Sequence, residues 1–456
     1  MTLTSSSGRF RPALPLSLNH HSVKLPSKHI PYLQSTAFAQ FQALSRSVRG
    51  LSSLTIPKRI RNLLGWLGFF GAFTAAHAFV PQAALDDPMY AQGFLVVSHY
   101  SGVTINGDAP TAADTTAALN EAIADAYVNN LVAYFPEGTY LVNGTLKAHT
   151  ATGKPVSVPG AAFATPREHL AIIGSTKGSR PLIKLLDGAA GFNDPGSPRT
   201  VVEFKNYNPG QIGNDDPQAN AEAPASGYYQ MLRGIDVDCG SGNTGAVGVY
   251  FNQAQGSSIE DVKVTATGAF AGFKALPGRG APVVNIEVEG GRYGIDTNGT
   301  SNVGTVVAGA ILRNQTVSAV RHNSAFFPLV ITGFEIVTPA GSTQAAVTTA
   351  GSAQSSGSAI HLIDGRIVLG GEPDVAAIDN RASRIFYARN IYVSGGSNLV
   401  KSTNTNPTVI GTGTWKLIKE YSYCNQAPID GNDKIATDII DGVVTRTPGP
   451  WRTGKS

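Results

Sequence analysis

Residues 260–289 read EDVKVTATGAFAGFKALPGRGAPVVNIEVE. Two alternating segments, EDVKVT (Glu260–Thr265) and VNIEVE (Val284–Glu289), bound a Gly-rich middle. Aliphatic and polar residues alternate in each, which is the period of a half-buried strand. The pattern returns at GIDVDC (Gly234–Cys239), AGAILRNQ (Ala308–Gln315), GFEIVT (Gly333–Thr338), DGRIVL (Asp364–Leu369) and RNIYVS (Arg389–Ser394). The first inward aliphatics are then Ile235, Val262, Ile286, Ile311, Ile336, Ile367 and Ile391, at steps of 27, 24, 25, 25, 31 and 24 residues. A second set lies between them: GVYFN (Gly248–Asn252), GFKAL (Gly272–Leu276), GIDTN (Gly294–Asn298), AVRHN (Ala319–Asn323), AIDNR (Ala377–Arg381) and LVKST (Leu399–Thr403). Val249, Phe273, Ile295 and Val320 follow one another at 24, 22 and 25 residues. Two strand sets thus share one period, too short for a helical repeat and suited to one turn of a parallel β-helix. A β-sandwich, with strands every ~8–12 residues, requires no constant step in two registers. The fold class expected is all-β, a single-stranded right-handed parallel β-helix.

Composition agrees with many turns and a large core. The chain has 456 residues, 51 of them Gly, with 42% hydrophobic and only 14% charged residues. So low a charge content excludes a coiled coil, a long helical bundle and an acidic disordered protein. The net charge of +4 comes from the N-terminal end. Nine Lys and Arg precede the first acid, Asp86, and the remainder holds 26 bases against 31 acids. A mildly acidic body lacks the electrostatic footprint of a nucleic-acid binder.

The basic head reads as targeting sequence. Lys58-Arg59-Ile60-Arg61 precedes an apolar run, Leu63–Ala76, and Ala76-His77-Ala78 fits a small-x-small cleavage site. This is the layout of a secretory signal, the alternative being a retained membrane anchor. Residues 1–57 are Ser-rich and basic, as organelle transit peptides are, or a mis-assigned upstream extension. The organisation expected is an extension over 1–57, a signal peptide over 58–78, a linker over 79–95, a β-helix over 96–420 and a tail over 421–456. Secretion to a periplasmic or extracellular space would permit a disulfide between Cys239 and Cys424, which a core of this size does not need. Ahead of the coils, Asp114 can cap a helix over Thr115–Val128, followed by strands LVAYF (Leu131–Phe135) and TYLV (Thr139–Val142). Such a helix would cover the open end of the solenoid. The loop-rich residues 150–230 read as insertions on one flank, often the binding flank of a repeat array.

The stretch GVTINGDAPTAADTTAALNEAIADA…LVAYFPEGTYLVNGTL (Gly102–Leu146) resembles the opening of pectate-lyase-superfamily proteins, with Ala109 and Ala113 departing from their pattern. GAVGVYFNQAQGSSIEDVKV (Gly245–Val264) is similar to the exo-β-1,3-glucanase (laminarinase) branch. The resemblance implies a carbohydrate-active β-helix, with hydrolysis of a β-1,3-glucan-like polysaccharide foremost. It also implies a second β-helix domain as a partner missing from this chain. A lyase or epimerase acting on uronans, and a non-catalytic glycan-binding or adhesion module, are the alternatives.

Alternation places Asp236, Asp238, Asp261, Lys263, Asn285, Glu287 and Glu289 on an outward polar ladder that Arg313, Glu335 and Arg366 can continue. Hydrolysis needs a carboxylic acid and a carboxylate, for which Asp236, Asp238, Glu287 and Glu289 are the catalytic candidates. The plainer reading is a solvated sheet face. Four acids on one face repel unless a cation or a raised pKa relieves them. A second ladder holds Tyr250, Lys274, Asp296, Arg321 and Asp379; with Lys263 and Arg313, its Tyr250, Asp296 and Arg321 are the substrate-binding candidates. His322 and His361 read as core or corner histidines. No cofactor is expected, apart from Ca²⁺ if the chemistry is elimination. No nucleotide partner is expected, since P-loop and dinucleotide fingerprints are absent.

Overall fold

The computed structural model describes residues 80–106, 112–151, 155–156, 165–166, 169–207, 222–300, 304–323, 328–349, 359–370, 374–381, 385–402, 409–410, 414–424 and 434–442. The extension 1–57 and the signal segment 58–78 lie outside them. From Asp236 to Ser402 the chain alternates between two sheets, strand by strand, and the pairings among these strands are parallel. The first sheet stacks Ser258–Thr265, Pro282–Glu289, Val306–Arg313, Leu329–Val337, Ile360–Val368 and Ile385–Ser394. The second stacks Arg199–Tyr207, Ala246–Phe251, Ala271–Lys274, Tyr293–Asp296, Ser318–His322, Val347–Thr349, Ile378–Asn380 and Asn398–Ser402. The result is the parallel β-helix expected from the shared period.

Two unbroken aliphatic columns form the core. Val237, Val264, Val288, Leu312, Ile336, Ile367 and Val393 are register partners in the first sheet, all fully or almost fully buried. In the second sheet Val249, Phe273, Ile295, Val320, Val347, Ile378 and Val400 do the same. At ~25 cal/mol per Å² of apolar surface, such columns are the main favourable term holding coil to coil.

One part of the sequence reading needs correction. Ile311 is not inward: Ala310 is the register partner of Ile286 and Phe334, while Ile311 stands between Glu287 and Glu335 on the outer face. The cause is a bend inside each first-sheet strand. Asp261, Asn285, Gly309, Gly333, Asp364 and Asn390 all have φ between 53° and 78°. A left-handed residue absorbs one step of the alternation, so Ile259 and Val262 both point inward although three positions apart. Only Gly, Asn and Asp adopt this conformation readily. Asp261 and Asn285 therefore belong to a bend column rather than to the outward ladder, and Asn285 Nδ2 donates to Asp261 Oδ1 at 2.6 Å. Asn390 repeats this on Asp364 at 2.8 Å.

The capping helix α1 (Ala112–Asn129) starts three residues before the expected Thr115, so Asp114 lies inside it rather than at its cap. Its Leu119, Ala122, Ile123 and Ala126 are buried. Asn120 does the work of a missing strand: its Oδ1 accepts from Lys147 N at 2.7 Å and its Nδ2 donates to Thr145 O at 2.9 Å. Helix and side chain together close the first edge. At the other end, Trp415–Cys424 pairs antiparallel with Ile385–Ser394, and Lys434–Gly442 pairs antiparallel with it in turn. Trp415–Cys424 and Lys434–Gly442 are thus part of the first sheet, where a tail was expected from 421. The segment 79–95 likewise holds a helical turn, Gln82–Leu85, and the start of the strand Phe94–Val96. Cys239 is a buried free thiol, so the disulfide does not form.

Candidate functional site

The first-sheet outward column runs Asp236, Lys263, Glu287, Ile311, Glu335, Arg366. Its charges alternate and pair from coil to coil. Arg180 Nε donates to Asp236 Oδ1 at 2.7 Å, Lys263 Nζ lies 3.0 Å from Glu287, and Arg313 reaches Glu287 at 3.8 Å and Glu335 at 2.8 Å. Arg366 closes the row on Glu335, with Nε 2.7 Å from Oε2. Burial pushes the Asp236 carboxyl up, against the pull of Arg180 and Lys263. The repulsion expected among these acids is relieved by interleaved cations. Asp238 accepts from Gly240 N at 2.9 Å and Glu289 accepts from Asn314 Nδ2 at 2.6 Å, so both carboxylates hold corners.

The second sheet carries a comparable column: Lys147, Glu203, Tyr250, Lys274, Asp296, Arg321, Thr348, Asp379 and Lys401. Asp296 is fully buried and takes two bonds of 2.8 Å from Arg321, whose Nη1 donates to Tyr293 OH at 2.9 Å. The guanidinium carbon lies 3.9 Å from the centroid of the Tyr293 ring, a cation–π stack. Beyond Thr348, Asp379, Arg381 and Lys401 help line a cleft of about 440 Å³.

At the other end of this column, sequence reading missed a cluster. Glu203 Oε1 meets His149 Nε2 at 2.9 Å and its Oε2 meets Lys205 Nζ at 2.9 Å. Burial raises the Glu203 carboxyl, but His149 and Lys205 outweigh it and hold the group below the usual range. Glu222 enters through a backbone bridge to Tyr207. Its Oε2 accepts from Tyr250 OH at 2.8 Å, while its Oε1 is buried with no partner among the described residues. Burial, with the nearby charge of Glu203, raises Glu222 to about 7. Asn252, 4% exposed, donates from Nδ2 to Tyr250 OH at 3.3 Å, and its buried Oδ1 has no partner among the described residues. Two carboxyl groups whose environments drive them apart are what acid–base chemistry uses. The only signal in the sequence is the alternation of RTVVEFKNY (Arg199–Tyr207), which places Glu203 outward.

His322 is fully buried as expected, its Nδ1 2.8 Å from Thr297 Oγ1. Burial lowers it from 6.5 to about 4. The unfolded chain binds this proton first, so its contribution to stability is complete above pH ~6.5 and declines as pH falls toward ~4. His322→Asn should flatten the stability profile across that window in urea titrations at successive pH values. An unchanged slope would exclude His322 as its source. His361 is half-buried against Tyr387, and burial lowers it too. Among the described residues no three His, Cys, Asp or Glu side chains converge to hold a metal. Of the ladder acids, Asp236, Glu287 and Glu335 are engaged by Arg or Lys, and Asp238 and Glu289 by amide donors. No described helix is long and apolar enough to cross a membrane.

Residues 101–325 match the family Rhamnogalacturonase A/epimerase, pectate lyase-like. Similar solved structures include PfbA, a surface adhesin of Streptococcus pneumoniae, at 13% identity and TM-score 0.34, covering 76% of this chain and 100% of that one. The ORF18 protein of Geobacillus virus E2 is similar at 10% identity and TM-score 0.38, covering 79% and 81%. DFA-IIIase from Arthrobacter chlorophenolicus A6 is similar at 11% identity and TM-score 0.28, covering 69% and 89%. No curated protein sequence matches the chain. The described residues fold as a right-handed parallel β-helix, and the pectate lyase-like match falls on its coils over residues 101–325. The match does not single out the laminarinase branch.

Proposed function

We propose that the protein is an exported carbohydrate-active enzyme that cleaves glycosidic bonds in a polysaccharide by hydrolysis. The observation that carries this reading is the family match over residues 101–325, which spans the coils bearing Glu203, Glu222 and Tyr250. In this reading the glycan lies along the second-sheet face, between that cluster and the cleft at Asp379, Arg381 and Lys401. Tyr250 and Arg321 contact the chain, and the first-sheet acids Asp236, Asp238, Glu287 and Glu289 form a charged neighbouring wall. A β-1,3-glucan is the first substrate to try and a uronan the second. Export with cleavage near Ala78 belongs to the same proposal.

The purified protein is to be incubated with a β-1,3-glucan and, separately, with rhamnogalacturonan and polygalacturonate. Reducing ends should rise without the ultraviolet absorbance of unsaturated products. Rising absorbance would assign elimination instead. Glycan binding without any product would make the protein a binding module.

A further inference from the structure

We propose that the proton donor of this chain is Glu222, held beside Glu203 and Tyr250 on the second sheet, and not an acid of the first-sheet ladder. The inference rests on the hydrolytic reading above and gives it an address. Every ladder carboxylate is engaged by a cation or a backbone or side-chain amide. Glu222 and Asp379 each combine a filled oxygen with a buried one that has no partner among the described residues, but the cation Arg381 fills the first at Asp379 and the neutral Tyr250 phenol fills it at Glu222. Tyr250 OH occupies Oε2, so the proton of the neutral acid sits on Oε1, which has no partner among the described residues. The phenol of Tyr250 stays a donor, because burial and Glu222 hold its ionisation far above neutrality. Asn252 adds an independent sign of an incomplete site. Its amide faces the cluster through Tyr250, yet its buried Oδ1 is unpaired, as a carbonyl awaiting a sugar hydroxyl would be.

Glu203 is a positioning residue. His149 and Lys205 take both its oxygens, so it stays ionised and is no acceptor for the substrate's proton. Its charge disfavours ionisation of Glu222, while Lys205 on the same strand opposes that effect. Tyr207 also faces both carboxylates. In the step, Glu222 gives its Oε1 proton to the glycosidic oxygen as the bond to the anomeric carbon breaks, and the bonding pair stays on that oxygen. Water then adds to the anomeric carbon, and its surplus proton returns to the Glu222 carboxylate.

The test uses the full chain and the polysaccharide it cleaves best. Glu222→Gln should lower turnover about 10²–10⁴-fold, with an unchanged thermal midpoint showing that the variant folds. Glu203→Gln should move the alkaline limb of the pH profile to lower pH, since removing the neighbouring charge eases ionisation of Glu222. The ¹³C carboxyl resonance of Glu222 should titrate near pH 7 in the wild type and lower in Glu203→Gln. Turnover within a few-fold of wild type in Glu222→Gln overturns the assignment while leaving hydrolysis intact. An unmoved alkaline limb in Glu203→Gln overturns the pairing. A wild-type protein that cleaves no polysaccharide sinks the hydrolytic reading, and this inference with it.

Discussion

Asp296→Ala should destabilise the protein by about 3–5 kcal/mol, the cost of leaving a buried cation without its partner. Asp296 is fully buried and binds Arg321 through both oxygens, with Lys274 3.5 Å from Oδ2 and Asn298 N donating to Oδ1 at 3.0 Å. Removing the carboxylate strands the Arg321 guanidinium, about four-fifths covered, against the Tyr293 ring. Replacing both partners with apolar residues of similar volume should cost much less, because no charge is then left buried. Urea unfolding of Asp296→Ala and of Asp296→Leu/Arg321→Met decides this. Equal losses in the two would show that packing, not charge, is what Asp296 supplies.

The second large effect concerns Phe334 and Gly365, register partners on adjacent coils. Phe334 is fully buried, and Phe334→Ala should cost about 3–5 kcal/mol, as for other buried aromatics cut to Ala. A Cβ added at Gly365 would run into the Phe334 ring, so Gly365→Ala should cost about 1–3 kcal/mol through overpacking. In Phe334→Ala the methyl enters space the ring has left. The double variant should therefore lose less than the sum of the singles, with a coupling of about 0.5–3 kcal/mol. Strict additivity in denaturant titrations would mean that the ring and the glycine do not share that space.

These two sites also show what sequence reveals and what it hides. The second-sheet column from Tyr250 through Lys274, Asp296 and Arg321 was readable because those strands are short and unbent, so alternation alone fixes which side chains face outward. Its pairing was not readable. Nothing in the spacing tells whether Arg321 salts Asp296 or waits for a ligand. The first sheet was harder. In AGAILRNQ, Ala310, Ile311 and Leu312 are adjacent apolar residues, and only the left-handed Gly309 decides that Ala310 is the inward one. Chirality thus set a register that hydrophobicity could not. The Glu203–Glu222 cluster was least legible. Its residues come from Leu146–Ala151, Arg199–Tyr207, Ala246–Phe251 and a bridge to Tyr207, far apart in the chain and embedded in Pro- and Asn-rich sequence without a repeat. Burial and a neighbouring carboxylate, which raise Glu222, are properties of that assembly.

The reversal of chain direction at Trp415 has a consequence beyond the fold. A parallel solenoid offers every added coil the same unsatisfied row of amides and carbonyls, so nothing in its repeat says where to stop, and a second molecule can take the place of the next coil. Two antiparallel strands break that repeat, because each runs in the opposite direction to the strand it pairs with before it. With α1 and Asn120 shielding the opposite rim, the run of parallel coils is bounded at both ends.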